Sequence, residues 1–192
     1  MPRSYSTLTL DDAKRMLSAA EAKAASFGIA YNIAVVDAGG HLLAFVRQDG
    51  ALIGSIDHAI DKAVTARIFD KTTSYLAQLS QPGSPLYDIQ GTNAGRVVIF
   101  GGGIPITLNG SIVGAVGASA GTVEQDIAVA EAAIAARRGL ASNDHATRSA
   151  KIFRCGGGLR QLQCRSRTAR CDTINADAKR QHTGRRSRTD PV

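Results

Sequence analysis

The sequence lacks any run of eighteen apolar residues, which is about the length that a helix needs to cross a membrane. Residues 1–6 carry no apolar segment of the kind that secretory signal peptides contain. We therefore expect a protein of the cytoplasm with no membrane contact.

Cysteine is scarce and confined to the end of the chain, at Cys155, Cys164 and Cys171. These residues form no Cys-x-x-Cys pair, and no histidine stands at a spacing suited to zinc, so a zinc site is not expected. A disulfide framework requires an oxidising compartment, which nothing in the sequence indicates.

The charge of the 192 residues is divided unevenly. Residues 1–139 contain 11 Lys and Arg against 12 Asp and Glu, a net charge of −1, whereas residues 140–192 contain 12 against 4, a net charge of +8, and the two sum to +7. Hydrophobic residues make up 44% of the chain, enough for a packed core, but few large ones lie after residue 139. We predict a globular domain over residues 1–139 and a basic, disordered tail over residues 140–192.

The basic tail has two further interpretations. Its arginines suit phosphate backbones, but they come without interleaved aromatic residues or a recognisable fold, so we do not expect a nucleic-acid partner. A shifted reading frame would also produce so abrupt a change of composition, and would make the end of the chain non-native.

Two helices are predicted in the first half of the domain. Thr9 is a good N-cap and Asp12 completes a capping box, after which apolar residues recur every three or four positions until Gly28. A second helix is predicted to begin with Ser55 as its cap and to run to about Phe69.

The remaining segments predict strands. Residues 31–37 and 41–46 are rich in β-branched and aromatic residues on either side of a glycine turn, which predicts a hairpin. Residues 96–100 predict a third strand, and Asn109-Gly110 predicts a second hairpin whose returning strand is residues 111–118.

Thr122 is predicted to cap a final helix that Gly139 ends. Residues 72–95 are turn-rich and long for a loop, which is typical of segments that line a site or a subunit contact. Together these elements predict an α+β fold with a mainly antiparallel sheet of about five strands covered by helices.

Three segments resemble the GlcG/HbpS-like family, which is also described as haem-degrading and as PduO C-terminal-like. They are GSIDHAIDKAVTA at residues 54–66, GGGIPI at residues 101–106 and GSIVGAVGAS at residues 110–119. Residues 124–126 at the start of the last helix are similar as well. The resemblance covers about residues 8–139, in the order that the family shows.

The resemblance implies a profilin-like domain that assembles into homo-oligomers. Some members of the family bind haem, and others bind iron and protect against oxidative stress. Others accompany glycolate or diol metabolism, and one branch forms the C-terminal domain of a corrinoid adenosyltransferase. Family membership alone does not fix a ligand.

His58 and His41 are the only histidines of the predicted domain. Imidazole suits iron, so each is a candidate metal ligand, in the role of an axial ligand of haem. The competing interpretation of each is an ordinary, partly exposed polar residue.

Lys62 lies four residues after His58 on the same predicted helix face, and it resembles a regular feature of the family helix. It is a candidate to bind a haem propionate or another carboxylate, or else to pair with Asp57 or Asp61 on its own helix. Thr65, one turn further on, is either a hydroxyl on the ligand side or a packing residue.

Gly102, Gly103 and Pro105 complete the candidate ligand-binding set. The glycine run offers successive backbone N–H groups to an anion, although such a run more often marks a bulge that redirects a strand. It is neither a dinucleotide-binding fingerprint nor a Walker loop.

No Ser-His-Asp order, carboxylate pair or activated cysteine is present in the predicted domain, so a hydrolase is not supported. Three hypotheses remain open. The first is a binding protein for haem or a related tetrapyrrole with weak haem-degrading activity, and the second is a non-catalytic accessory protein in glycolate, diol or aromatic-compound catabolism. The third is an enzyme acting on a small carboxylate, with Lys62 binding the anion and His58 as general base.

Overall fold

A computed structural model describes residues 5–149 of the chain, with side chains to residue 137. These residues belong to one unit of the chain, Met1–Phe153. The secondary-structure elements are α1 Leu10–Ser26, β1 Asn32–Asp37, β2 Leu42–Arg47, α2 Ser55–Ile68, α3 Thr73–Leu79, β3 Gly103–Leu108, β4 Ser111–Ser119 and α4 Val123–Ser149.

The four strands form one antiparallel sheet in the order β2-β1-β4-β3. The central pair is β1 with β4, in which Val35 lies opposite Val116. The predicted α+β class and antiparallel arrangement are confirmed, with four strands among the described residues instead of about five.

Helices cover both faces of the sheet. Helices α1 and α4 pack on one face, around buried residues such as Met16, Ile33 and Val129. Helix α2 packs on the other face, where the buried residues are mainly alanines. The result is a three-layer arrangement in which the sheet lies between α2 on one side and α1 with α4 on the other.

The predicted start and end of α1 are confirmed. The Thr9 hydroxyl accepts from the Asp12 amide at 3.1 Å, and the Asp12 carboxylate accepts from the Thr9 amide at 3.0 Å, which completes the capping box. Gly28 follows the helix with a φ of +67°, a conformation that glycine adopts without strain.

The predicted cap of α2 is wrong by one residue. Gly54 occupies the N-cap position with no side-chain hydrogen bond, and Ser55 is the first helical residue and is buried. A serine before an apolar helix face suggests a cap, but Ser55 packs inward and is unavailable to the free amides.

The predicted strand at residues 96–100 is wrong, because this segment pairs with none of the strands in the described part of the chain. Its backbone is bonded to a helix side chain, since the Thr65 hydroxyl donates to the Arg96 carbonyl at 3.2 Å and accepts from the Val98 amide at 3.0 Å. Val97 and Val98 are buried, so the β-branched run reflects burial and not strand pairing.

The predicted end of α4 at Gly139 is also wrong, because the helix continues to Ser149. A glycine inside a helix costs only about 1 kcal/mol relative to alanine, and the alanine-rich turns before it favour continuation. The helix therefore crosses the predicted domain boundary at residues 139 and 140, and the rest of the predicted tail, residues 150–192, lies outside the described residues. Within residues 5–149, no helix is long and apolar enough to span a membrane.

Candidate functional site

Helix α2 approaches the sheet closely because β4 carries a glycine beneath it. A Cβ at Gly117 would meet the carbonyl oxygen of Ala59 and would lie 2.6 Å from the amide nitrogen of Ala63. A side chain at this position would therefore overlap helix backbone. The close approach places the next inward residue of the helix, Lys62, deep between α2 and the ends of β3 and β4.

Lys62 is fully buried and forms an ion pair with a residue of α4. Its Nζ donates to Oδ2 of Asp126 at 2.6 Å and to the Ala118 carbonyl at 3.0 Å. The two side chains are 0% and 5% exposed. The other carboxylate oxygen of Asp126 accepts from the amides of Ala120 and Gly121, each at 3.1 Å. The pair thus connects α2, the end of β4 and the start of α4.

Burial lowers the pKa of Lys62 below its ordinary value, because the charged ammonium loses its hydration. The hydrogen bond and the charge of Asp126 act in the opposite direction and favour the charged form. The carboxylate is therefore the group that makes a buried ammonium tolerable at this position.

Two aromatic rings extend from the ion pair to the surface. The Phe100 ring lies with its centroid 4.4 Å from the Lys62 Nζ, within the range of a cation–π interaction. The His58 ring packs against Phe100 edge to face, with centroids 5.6 Å apart and planes at 88°. Phe100 is 38% exposed and His58 is exposed, so these two rings form an outward face that we call the His58–Phe100 face.

The His58 imidazole makes no hydrogen bond with any residue that the structure describes, so its nitrogens are available to a ligand.

A buried hydroxyl lies on the inner side of the ion pair. The Tyr31 hydroxyl is enclosed and has no hydrogen-bond partner among the described residues. Burial, followed by the negative charge of Asp126, raises the pKa of Tyr31.

His41 lies far from His58. The turn that contains His41 packs at the end of α2, where Arg67 Nε donates to the Ala38 carbonyl at 2.6 Å. His58 is in the first turns of the same helix, and nine residues of α-helix span about 13 Å. The two predicted metal ligands are therefore not brought together, and no group of three His, Cys, Asp or Glu among the described residues is placed to hold a metal ion.

The other predicted site residues are mostly used within the fold. Thr65 is buried and bonds the segment after residue 95 as described above. A Cβ at Gly102 would lie 3.0 Å from the Lys62 Nζ, and the Gly103 amide donates to the Thr73 hydroxyl at 2.9 Å. Pro105 is half-buried in the edge strand β3, opposite Ala115. Both glycines are therefore packed against the ion pair and helix α2.

The structure also corrects the expected partner of Lys62 within the protein. Neither Asp57 nor Asp61 binds it, because Asp57 is exposed and Asp61 pairs with Arg96 at 2.7 Å. Sequence reasoning missed Asp126 as the partner, although residues 124–126 carried part of the resemblance. It also missed Phe100, which was assigned to a strand.

A separate groove of about 470 Å³ lies beside the edge strand β3, and none of the predicted site residues lines it. Its lining residues are Thr72, Ser74, Ile104, Ile127, Glu131, Ile134 and Ala135.

Comparison with known proteins gives consistent matches over the same part of the chain. A protein of Citrobacter freundii, known as the uncharacterized 15.0 kDa protein in the dhaT-dhaS intergenic region, is 47% identical over 128 residues, which cover 67% of this chain and 90% of that protein. The crystal structure of the Klebsiella pneumoniae protein ORFY superposes with a TM-score of 0.70 at 39% identity, covering 71% of this chain and 94% of that one. The crystal structure of a PduOC:haem complex superposes with a TM-score of 0.66 at 35% identity, covering 68% and 94%.

The family model described as "Haem degrading protein HbpS-like" matches residues 8–135, within the region over which the sequence resembles that family. This match covers the whole sheet and all of the residues of the Lys62–Asp126 pair and the His58–Phe100 face. The chain belongs to the HbpS-like family.

Proposed function

We propose that this chain binds haem or a related tetrapyrrole at the His58–Phe100 face. The observation that carries the proposal is an exposed imidazole that makes no hydrogen bond to any described residue and packs against an exposed aromatic ring. The family description and the PduOC:haem complex, in a relative of similar fold, support haem as the ligand.

The residues on this face fit such a ligand. A neutral imidazole nitrogen of His58 is a suitable axial ligand for haem iron, and Phe100 offers apolar area to a flat macrocycle. Arg96 is more than half exposed and pairs with Asp61. Because Asp61 follows His58 by three residues on α2, the Arg96 guanidinium lies on the same side of the helix as His58. That cation is suited to a propionate.

The ammonium of Lys62 is not suited to a propionate or to a small carboxylate substrate, because Asp126 and Ala118 already accept its hydrogen bonds in a buried position. The hypothesis of an enzyme in which Lys62 binds the anion is therefore not favoured. Haem degradation would be chemistry of the bound iron, whereas the residues of this chain bind and orient the macrocycle. The accessory role in catabolism stays a prediction.

Haem titration of the full chain tests the proposal. Cys155, Cys164, Cys171, His145 and His182 are additional possible iron ligands in the sequence, so the background should carry serine and alanine at these positions. In that background we expect a shift of the Soret band at micromolar haem. We expect His58→Ala to abolish the shift and His41→Ala, a matched change of an exposed histidine at the other end of α2, to preserve it.

Two outcomes would contradict the proposal. The background protein would show no Soret shift, or His58→Ala would bind haem as tightly as its parent. If only His41→Ala lost haem binding, the axial ligand would be His41 in the β1–β2 turn instead of His58.

We also infer that the chain forms a homo-oligomer, as the family resemblance implies. Several large apolar side chains on the surface support this inference, among them Leu52 and Ile53, which are 63% and 75% exposed. Sedimentation velocity of the full chain should give a mass that is a multiple of 20.1 kDa. A single species of monomer mass at micromolar concentration would contradict the inference.

A further inference from the structure

We propose that the buried Lys62–Asp126 pair positions Phe100 and, through Phe100, fixes the orientation of the His58 imidazole. Lys62 and Asp126 are buried beneath the His58–Phe100 face and are not exposed on it, so they are positioning residues. The consequence for ligand binding rests on the proposed function, whereas the positioning itself can be measured without a ligand.

The first step concerns the three groups that the Lys62 ammonium contacts. An ammonium has three N–H donors. One donates to Asp126 at 2.6 Å and one to the Ala118 carbonyl at 3.0 Å, while the Phe100 ring lies 4.4 Å away. Because Lys62 is fully buried, no water competes for the third direction, and the attraction to the ring is stronger than it would be at the surface.

The second step is the rigidity of the ammonium's position. The Asp126 carboxylate is itself held by the amides of Ala120 and Gly121 through its other oxygen. The Gly102 backbone packs directly against the ammonium, since a Cβ there would lie 3.0 Å from the Lys62 Nζ and 2.7 Å from the Ala118 carbonyl oxygen. The charge that faces Phe100 is therefore fixed by three elements of the fold.

The third step concerns what restrains the Phe100 side chain. The backbone on either side of it is held by hydrogen bonds from the Val98 and Gly103 amides to threonine hydroxyls. The ring itself lies partly at the surface and is 38% exposed. Its contacts with Lys62 on the inside and His58 on the outside restrain the orientation of the ring.

The orientation of the His58 ring then depends on Phe100. His58 and Lys62 are four residues apart on α2, so both contact the same aromatic ring from one helix face. His58 has no hydrogen bond to any described residue that would orient its ring instead. Mutation of residues that orient a metal-binding histidine typically changes metal affinity by about 10- to 100-fold. Phe100 and the Lys62–Asp126 pair would orient His58 in this way.

The test compares the ring resonances of the four histidines in NMR spectra of the full chain without ligand. Each resonance is assigned by its loss in the corresponding alanine variant. We expect Phe100→Leu to move the His58 ring resonances toward the values of a histidine in a flexible peptide, because the aromatic ring current is lost. Phe100→Tyr keeps the ring and should keep the resonances, and His41 should be unaffected by either change.

The double variant Lys62→Met/Asp126→Asn tests whether the ion pair positions Phe100. Methionine keeps the length of the lysine without its charge, and the asparagine oxygen still accepts from the amides of Ala120 and Gly121. We expect the His58 resonances to move in the same direction as in Phe100→Leu while the protein remains folded. Asp126→Asn alone, which weakens the pair and keeps its geometry, should give a smaller movement and serves if the double variant does not fold.

Unchanged His58 resonances in a folded variant of the ion pair would overturn the inference. In the haem titration, Phe100→Leu and the double variant should each raise the dissociation constant by about 10-fold. If haem binds through His58 but these variants bind it equally well, the positioning role is wrong and the proposed function stands. If the parent protein does not bind haem, the proposed function is wrong, and the resonances alone decide the positioning role.

Discussion

The two faces of the sheet are filled in different ways. Against α1 and α4 the core consists of large side chains that interdigitate, including Met16, Ile106 and Val129, which are all 0% exposed. Against α2 the buried residues are mostly alanine, and the helix backbone itself approaches β4 over Gly117. One face is filled by large apolar side chains, and the other combines close backbone contact with the buried Lys62–Asp126 pair.

This difference explains why the candidate site lies on the α2 side. Because this face is built from alanine and glycine, helix α2 lies close to the sheet. The long side chain of Lys62 therefore reaches Asp126 at the start of α4. A buried ion pair contributes little net stability compared with well-packed apolar residues, but breaking it leaves an unpaired buried charge. The α2 face should therefore be less tolerant of single substitutions than the face that α1 and α4 cover.

The largest effect is expected for Asp126→Ala. This change leaves the Lys62 ammonium buried without a counter-charge and removes the acceptor of two amides, so the free energy of unfolding should fall by about 3–5 kcal/mol. Urea denaturation measures the loss. Asp126→Asn is the matched control and should cost less, because it keeps an acceptor for the amides. Equal stability of Asp126→Ala and the wild type would show that the pair is not buried as described.

The next effect concerns the close approach itself. Gly117→Ala should lower the free energy of unfolding by about 3 kcal/mol, because the added methyl group overlaps the backbone of α2 at Ala59 and Ala63. Gly54→Ala is the control, since its backbone is helical and no atom of the residues that the structure describes lies within 4 Å of the added carbon. That control should stay within about 0.5 kcal/mol of the wild type. Similar losses in both variants would contradict the close contact.

The opposite face should respond to a loss of volume instead. Met16→Ala removes most of a fully buried side chain from the α1 and α4 core and should cost about 2–3 kcal/mol. Met16→Leu keeps the volume and should cost less than about 1.5 kcal/mol. Thermal or urea unfolding of the two variants compares them directly. A larger loss in the leucine variant would show that shape, and not volume, dominates on this face.

Local patterns predicted much of this fold correctly. The capping box at Thr9 and Asp12, the left-handed glycine after α1 and the first hairpin all depend on residues within a few positions of one another. The wrong strand at residues 96–100 has a non-local physical cause. The segment at residues 96–100 has the composition of a strand, but its hydrogen bonds go to Thr65, which is 31 and 33 positions away along the chain.

The candidate site was only partly predictable for the same reason. His58 and Lys62 were found because they are four apart on one helix face. The partner of Lys62 is 64 positions away, and no periodicity marks it. Nor does any pattern in the sequence indicate that Phe100 lies between Lys62 and His58, because this contact follows from how α2 packs over the sheet.

The smallest expected effect concerns Tyr31, which belongs to the core that α1 and α4 cover and whose hydroxyl lies near Asp126. Burial raises its pKa above the ordinary value of 10.0, so the folded protein keeps the phenol proton at a pH where the unfolded chain releases it. Above about pH 10 the unfolded chain then binds fewer protons, and the free energy of unfolding falls with rising pH, by at most about 1.4 kcal/mol per pH unit for one group. Tyr31→Phe has no proton to lose, so its stability should fall less steeply between about pH 10 and 11 in urea denaturation. Parallel curves for the two proteins would mean that water reaches this hydroxyl, and that the inner side of the ion pair is less enclosed than the apolar core beside it.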